Sequence, residues 1–315
     1  MPTVAVVGEV VADAVLPPDG IVAGAAHLTV HPGGGPANTA VALSRLGTTA
    51  RFAGRLSGGA LGALCRAKLE ESLVDLSASE NAAEPATLAI ARLDATGAAS
   101  YEFYTSGTAD WAWTDETLAP LIDGPFTAHT PPVALHTGSL ALALQPSGQV
   151  IENLLARAKA GMTISIDPNL RPLLVPTTSY RLWIDRWAAL ADIVRVSEDD
   201  LDLLWPGWTP EQAATHLHAC GVPLAVVSLG GAGAFGSLRG QQVRVPIAPT
   251  TLVDTVGAGD SFHGGLLHYL AEAGQLGGRL EALTVDGLHA ALTFASQVSA
   301  ITCSRAGANP PWQPN

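Results

Sequence analysis

The residues best suited to chemistry lie in one run, Asp254-Thr255-Val256-Gly257-Ala258-Gly259-Asp260-Ser261-Phe262, which leads into Gly264-Gly265 and an apolar helical stretch. Small residues at Gly257, Ala258 and Gly259 let the chain turn tightly, so successive N–H groups can point at one spot. A helix beginning there adds its positive dipole end, and the two together suit a phosphate-sized anion. Asp260 stands at the rim, placed to take a proton from an attacking hydroxyl. Phosphoryl transfer asks the protein mainly to position groups and neutralise charge, so one carboxylate beside an anion hole suffices. Taken alone, the same run reads as a glycine turn with Asp260 capping a helix. A second glycine cluster changes the balance, because Pro32-Gly33-Gly34-Gly35-Pro36-Ala37-Asn38 opens another helical stretch. Glycines there admit a ligand close to the backbone, and Asn38 can both donate to and accept from hydroxyls.

Other routes to ATP chemistry are closed. The lysines are Lys68 and Lys159 alone, and neither follows a glycine-rich turn, which excludes a Walker A loop and a protein-kinase strand lysine. A formal net charge of −12 makes nucleic acid and anionic membrane poor partners. With 48% hydrophobic and 14% charged residues the chain is expected to fold around a sizeable core. No run of about eighteen apolar residues occurs, and the first residues lack the basic region of a signal peptide. Cys65, Cys220 and Cys303 are scattered, as suits reduced thiols in the cytoplasm.

The elements that must position these motifs alternate between β-rich and Ala/Leu-rich stretches, which predicts an α/β fold with a mostly parallel sheet covered on both faces. Core strands are expected at Thr3–Val7, Ala50–Gly54, Val133–His136, Thr163–Ile166, Asp192–Val196 and Leu224–Ser228. Helices are expected at Pro36–Leu46, Gln149–Ala160, Pro210–Ala219 and Asp260–Glu272. Gly, Asp, Asn and Ser gather after the strands, where open parallel sheets bind ligands. Two excursions break the rhythm, Val10–Gly35 and the hairpin Thr87–Tyr104 with its turn at Asp94-Ala95-Thr96-Gly97. They read as a small β lid, or else as an antiparallel edge on the main sheet. No linker divides residues 1–315, so one domain is expected.

The pairing of the two glycine motifs resembles the ribokinase-like, or PfkB, family of carbohydrate kinases. The resemblance is carried by GGGPANTAVALSRLG from Gly33, FAGRLSGGALG from Phe52 and DTVGAGDSFHGG from Asp254. Asp167–Pro172, Ser228–Gly233 and Arg305–Ala308 are also similar to family segments. The resemblance implies a Rossmann-like domain with a β lid, ATP and magnesium, and transfer of a phosphoryl group to a sugar hydroxyl. It implies Asp260 as base, Gly257, Ala258 and Gly259 as anion hole, and Asp13, Gly34, Asn38 and Arg171 at the sugar. Ser197, Ser228, Gly230, Gly233 and Ser296 would border the nucleotide. Asp200 would reach magnesium through water, and Asp254 belongs to a stretch that answers to potassium in some members. Exposed lid strands make a homodimer through the lid an expectation.

Tyr101–Tyr104, Gly107–Trp111, Gly138-Ser139 and Asp167–Pro172 look most like fructokinase-type members. Residues 9–36 hold no Lys or Arg and 87–104 only Arg92, so a neutral sugar is favoured over a sugar phosphate. Ribose, or an acid such as 2-keto-3-deoxygluconate, is the alternative within the family. The chain departs from the family at Ser57 and Gly59, where Gly and Asp are usual, and at Ser197 and Asp200, where Asn and Glu are usual. Two readings of other classes also arise. One is a serine hydrolase with Ser261, Asp286 and His289, although twenty-five positions between Ser261 and Asp286 leave little room for that fold. The other is a non-catalytic sugar sensor, against which the retained Asp260 speaks. Gly231–Gly236 matches GxGxxG, but a polar β-like run follows it rather than a helix. The histidines form no HExxH pattern, so no zinc site is expected. Trp183, Trp187, Trp205, Trp208 and Trp312 read as packing.

Overall fold

Thr3–Val7 is buried at every position, and so is Thr163–Asp167, as strands covered on both faces must be. The computed structural model of the protein describes residues 2–94, 99–124 and 130–313. The buried strands assemble an eight-stranded sheet in the order Gln241–Val245, Ala234–Leu238, Leu224–Ser228, Ile193–Ser197, Thr163–Asp167, Pro132–Gly138, Thr3–Val7, Thr49–Ala53. All six expected core strands are present, each shifted by at most a residue or two at its ends. Their mutual pairings are parallel, whereas Leu224–Ser228, Ala234–Leu238 and Gln241–Val245 pair antiparallel. The residues Gly231–Gly236 therefore enter a hairpin, not a helix, as the polar run after them predicts.

Strand alternation sends side chains to two separate cores. Val4 and Val6 pack with Gly35–Arg45, Ala258–Glu272 and Val285–Cys303 through Val41, Leu43, Leu266 and Leu292. Ala5 and Val7 face the cluster formed with Ser147–Ala158, Thr177–Leu190 and Pro210–Ala219, where Ile151, Trp187 and Leu217 are buried. Trp187 donates its indole N–H to Glu152 at 2.8 Å, which confirms it as packing.

The two excursions leave this sheet. Val11–Leu16, Thr29–Gly33, Thr87–Leu93 and Ala99–Tyr104 form a second, four-stranded mixed sheet, the lid, so the alternative of an edge on the main sheet is overturned. The antiparallel edge of the main sheet is instead the 234–245 hairpin. The turn expected at Asp94–Gly97 lies outside the described residues beyond Asp94. A buried carboxylate joins the two sheets. Asp110 accepts from the Val10 N–H at 2.9 Å and from the Thr87 hydroxyl at 2.6 Å, all three being buried. Burial pushes its carboxyl up to about 6. Asp110→Ala strands the buried Val10 N–H and leaves the Thr87 hydroxyl only Thr108 as partner, and should cost about 2–3 kcal/mol, read by urea denaturation. A loss below about 0.5 kcal/mol would show that this junction contributes little to the fold.

Candidate active site

The strand order reverses between Thr3–Val7 and Pro132–Gly138, and a crevice opens beyond their carboxyl ends, where doubly wound sheets bind ligands. Gly35, Thr39, His136, Ser139, Asn169 and Asp260 line it. Asp260 arrives on the third residue of the helix Ala258–Glu272, which starts two residues earlier than expected. Gly257 precedes it with φ 73, and a Cβ there would lie 2.5 Å from that of Ala308. The tail and the turn thus need glycine at this point.

Asn38 comes from the first turn of Gly35–Arg45 and donates to Asp260 Oδ2 at 2.8 Å. Its side chain is engaged with that carboxylate before any sugar is present. Burial pushes the Asp260 carboxyl up to about 7, against the Asn38 hydrogen bond and the charges of Arg171 and Arg195. A Cβ on Gly35 would lie 2.8 Å from Asn169 Nδ2 and 3.5 Å from Asp260 Oδ1, so only glycine keeps this wall clear. Asp13 packs on Gly33 from the neighbouring lid strand, and burial pushes it up to about 6 while Arg171 and His31 pull it down. Gly34, with φ 101, begins the helix beside it. Arg171 is held through Nη1 by Asn169 Oδ1 at 2.7 Å and by the Leu170 carbonyl at 2.9 Å. Asn38 is hydrogen-bonded to Asp260, the Arg171 charge acts on both Asp260 and Asp13, and Gly34 stands at the start of the helix that carries Asn38, so these groups are neighbours of the crevice that Asp260 lines. Ser139 and Asn169, both lining it, hold positive φ of 55° and 42°, backbone strain of the kind that gathers at functional sites.

The anion-hole expectation is refined by the turn. The Ala258 N–H bonds the Thr255 carbonyl at 3.1 Å, which leaves the remaining first-turn amides for an anion. Directly beneath lies a residue that the motif analysis missed. Arg195 is buried, and a Cβ on Gly259 would lie 2.9 Å from both terminal guanidinium nitrogens. Its Nη1 bonds Asp167 Oδ2 at 2.8 Å and its Nη2 bonds Ser228 Oγ. Burial works against its charge, but Asp167 and Asp200 hold its pKa raised. The signal was available, since a charged residue amid Ile193-Val194-Arg195-Val196 cannot be there for packing. Burial would raise Asp167 too, yet Arg195 and His263 hold it well below the usual carboxylate range. Its Oδ1 is buried with no hydrogen-bond partner among the described residues. That oxygen, at the crevice wall, is a fitting acceptor for a hydrated cation.

The nucleotide-side residues mostly have their groups in use. Ser197 and Asp200 form a reciprocal helix cap, with the Asp200 N–H on Ser197 Oγ at 3.0 Å and the Ser197 N–H on Asp200 Oδ2 at 3.2 Å. Asp200 Oδ1 accepts the Leu170 N–H at 2.9 Å, so the shorter carboxylate pins the Asp167–Arg171 loop. Ser228 is taken by Arg195, and Ser296 fastens the 246–248 segment by accepting the Ala248 N–H at 3.2 Å. Gly230 is open, whereas a side chain on Gly233 would strike the Val245 carbonyl. Asp254 accepts the Gly307 N–H at 2.7 Å and the Val256 N–H at 3.0 Å, tying the tail to the turn. The Ser57 departure is also explained, because Ser57 Oγ accepts the Gly59 N–H at 3.2 Å where no side chain caps the helix Ala60–Glu71. A hydrolase triad is not assembled: Ser261 is 1% exposed, while Asp286 and His289 face solvent.

All of residues 1–315 match the pfkB family carbohydrate kinases. The chain belongs to the PfkB family of carbohydrate kinases. It is 34% identical over 307 residues to the fructokinase of Klebsiella pneumoniae, covering 96% of this chain and 94% of that one. The fold is similar to the crystal structure of fructokinase with bound ATP from Xylella fastidiosa, with TM-score 0.84, 25% identity and coverage of 97% and 93%. It is also similar to a double mutant of Vibrio cholerae O395 fructokinase bound to fructose, ADP and potassium ion. That match has TM-score 0.80, 28% identity and coverage of 98% and 94%. The protein is therefore an ATP-dependent phosphotransferase acting on an alcohol group, in an α/β ribokinase-like fold with a β lid.

Within this kinase Arg195→Met would leave Asp167 buried beside a lost cation. Breaking such a pair should cost about 3–5 kcal/mol in urea denaturation, and Arg195→Lys distinctly less. Equal stability of the Met variant and the natural protein would show that the pair is not what holds these strand ends.

Proposed function

We propose that this kinase transfers the γ-phosphoryl group of ATP to a primary hydroxyl of a neutral sugar, fructose foremost. The observation that carries the reading is the Asp260 carboxyl, fixed by Asn38 in a crevice where two glycine-rich helix starts meet and titrating near 7. Asp260 takes the hydroxyl proton as the sugar oxygen attacks the γ-phosphorus; the bond to the bridging oxygen breaks and ADP leaves. Gly257, Ala258 and Gly259 shape the anion hole, and the Arg195 cation beneath Gly259 supports the developing charge. Asp13, Gly34, Asn38 and Arg171 would hold the sugar, and closure of the lid would exclude water. Ser197, Ser228, Gly230, Gly233 and Ser296 would border the nucleotide by position, since the three serine hydroxyls already have protein partners.

Magnesium would neutralise the nucleotide phosphates, and the unpartnered Asp167 oxygen with Asp200 is the donor set that suits it, through water. Asp254 has its carboxylate on main-chain amides, so a potassium ion near it would take carbonyl oxygens of the turn and tail. Fructose is favoured because the fructokinase relatives span nearly the whole chain. Exposed Ile21, Val22, Tyr101 and Tyr104 support a homodimer through the lid. Free thiols at Cys65, Cys220 and Cys303 support a reducing cytoplasm.

Coupled ADP release with ATP and magnesium tests the reading on fructose, ribose, glucose and 2-keto-3-deoxygluconate, each with and without potassium. Fructose should turn over best, and preference for the keto acid would move Arg171 to a carboxylate. Asp260→Asn should lower turnover about 10²–10⁴-fold with ATP binding intact. In the natural protein kcat/KM should rise with pH through about 7, because the base works only when deprotonated. Near-normal turnover of the Asn variant would end the assignment of Asp260.

A further inference from the structure

On the helical layer away from the crevice, three side chains of metal-ligating type converge. His216 and Cys220 stand four apart at the end of the helix Pro210–Ala219, so both project from one face. Asp185 comes from the neighbouring helix Thr177–Leu190. His216 Nε2 lies 2.7 Å from Asp185 Oδ1 and 4.0 Å from Cys220 Sγ, and all three ligand atoms lie within 4.8 Å of one another.

The imidazole is held in place by its surroundings. Trp205 and Trp208 stack on each other with centroids 5.6 Å apart, and each meets the His216 ring edge-on at 5.6 Å. This clamp leaves Nε2 directed at Asp185 and Cys220. His218, one residue beyond Leu217, is not part of the cluster, because its ring bonds the Val222 carbonyl and Ser237 Oγ, each at 2.7 Å. The absence of HExxH thus gave no warning of this site, whose third ligand comes from a helix some thirty residues earlier.

We propose that Asp185, His216 and Cys220 form a binding site for a thiophilic divalent metal of the zinc class. One thiolate, one imidazole and one carboxylate suit zinc or cobalt, and three protein ligands leave a fourth position for water. Tetrahedral coordination sets ligand atoms about 3.3–3.8 Å apart, so the oxygen and nitrogen need only part slightly and the sulfur swing in. Asp185 is exposed and the other two are partly so, which gives the ion a way in. The metal would staple two of the helices that cover one face of the sheet, independently of the kinase reaction.

Cobalt(II) is the probe, added to the purified full-length protein under reducing conditions. One equivalent should bind at micromolar concentration, with a thiolate-to-cobalt charge-transfer band in the near ultraviolet that zinc abolishes. Fluorescence of the flanking tryptophans should fall along the same isotherm. Cys220→Ser should remove the band and His216→Ala should weaken binding at least tenfold, whereas Cys65→Ser and Cys303→Ser should keep both signals. Zinc should raise the melting temperature of the natural protein but not of Cys220→Ser. No saturable binding below about 1 mM, or a band that survives Cys220→Ser, would overturn the site. Asp185→Asn, at an exposed position, serves as the second ligand variant should His216→Ala not fold, and unchanged cobalt affinity there would likewise count against it.

Discussion

Asn38 and Asp260 can meet only because a glycine lets their helices touch. A Cβ on Gly264 would lie 2.6 Å from that of Ala42 and 3.3 Å from the Thr39 carbonyl oxygen. The adjacent Gly265 does the same on the other side, where a Cβ would come within 3.1 Å of the Ala295 Cα. The helix Ala258–Glu272 is thereby clasped between Gly35–Arg45 and Val285–Cys303. Any larger side chain at these two positions would push it outward, since packed interiors have no slack to absorb a methyl group. Asp260 rides on its first turn, so its distance from Asn38, its burial and its titration all follow from this contact.

The crevice then sorts its carboxylates by their partners. Asp167 is paired directly with Arg195 and stays charged, whereas the Asp260 side chain is hydrogen-bonded to an amide and is driven up by burial and by the Asp167 charge against the pull of Asn38, Arg171 and Arg195. Two groups on adjacent walls are thus pushed to opposite ends of the range, which separates a permanent anion from a proton acceptor. The separation matters in a chain of net charge −12 that must receive a polyphosphate. Its general field is unfavourable, so on the proposed reading the attraction would fall to the local cation under Gly259 and the amides of the helix start. Arg195 can remain charged in the interior because Asp167 pairs with Nη1 and Ser228 accepts from Nη2, although its buried Nε has no partner among the described residues.

The parallel sheet was legible in the sequence because the core strands are largely apolar runs that each end in or at Gly, Asp or Ser, despite Arg51, His136 and Arg195 within them. The glycine motifs were legible because their spacing has a mechanical reason. Their immediate chemistry was less so. That Asn38 reaches Asp260, and that Ser228 is taken by Arg195, depends on side chains brought together from positions far apart in the chain. Helix starts were misjudged by two residues at Ala258, since a left-handed Gly257 can cap a helix without any polar side chain to announce it. The choice between a lid and an edge of the main sheet stayed open for a related reason. Alternating segments at 29–33 and at 234–245 look alike in sequence, and only the long-range pairing decides which sheet each joins.

The junction between sheet and lid constrains how a sugar could be enclosed. Three residues, Gly8, Glu9 and Val10, connect the core strand Thr3–Val7 to the lid strand Val11–Leu16, and each is tied down. Gly8 donates to the Ala53 carbonyl at 3.3 Å, Glu9 accepts the Ala141 N–H at 3.0 Å, and Val10 donates to Asp110. Glu9 and Val10 are also buried, and Gly8 abuts the ring of Pro36. A swing about this segment would break several buried hydrogen bonds at once, each expensive to leave unmade. The outer lid has no such restraint, for Ile21 and Val22 stand 60% and 57% exposed at its tip. The closure proposed above would therefore have to come from bending of the outer strands upon a fixed root. Asp13 lies near that root, packed on Gly33, so on the proposed reading the contact it would offer a sugar belongs to the fixed part of the lid.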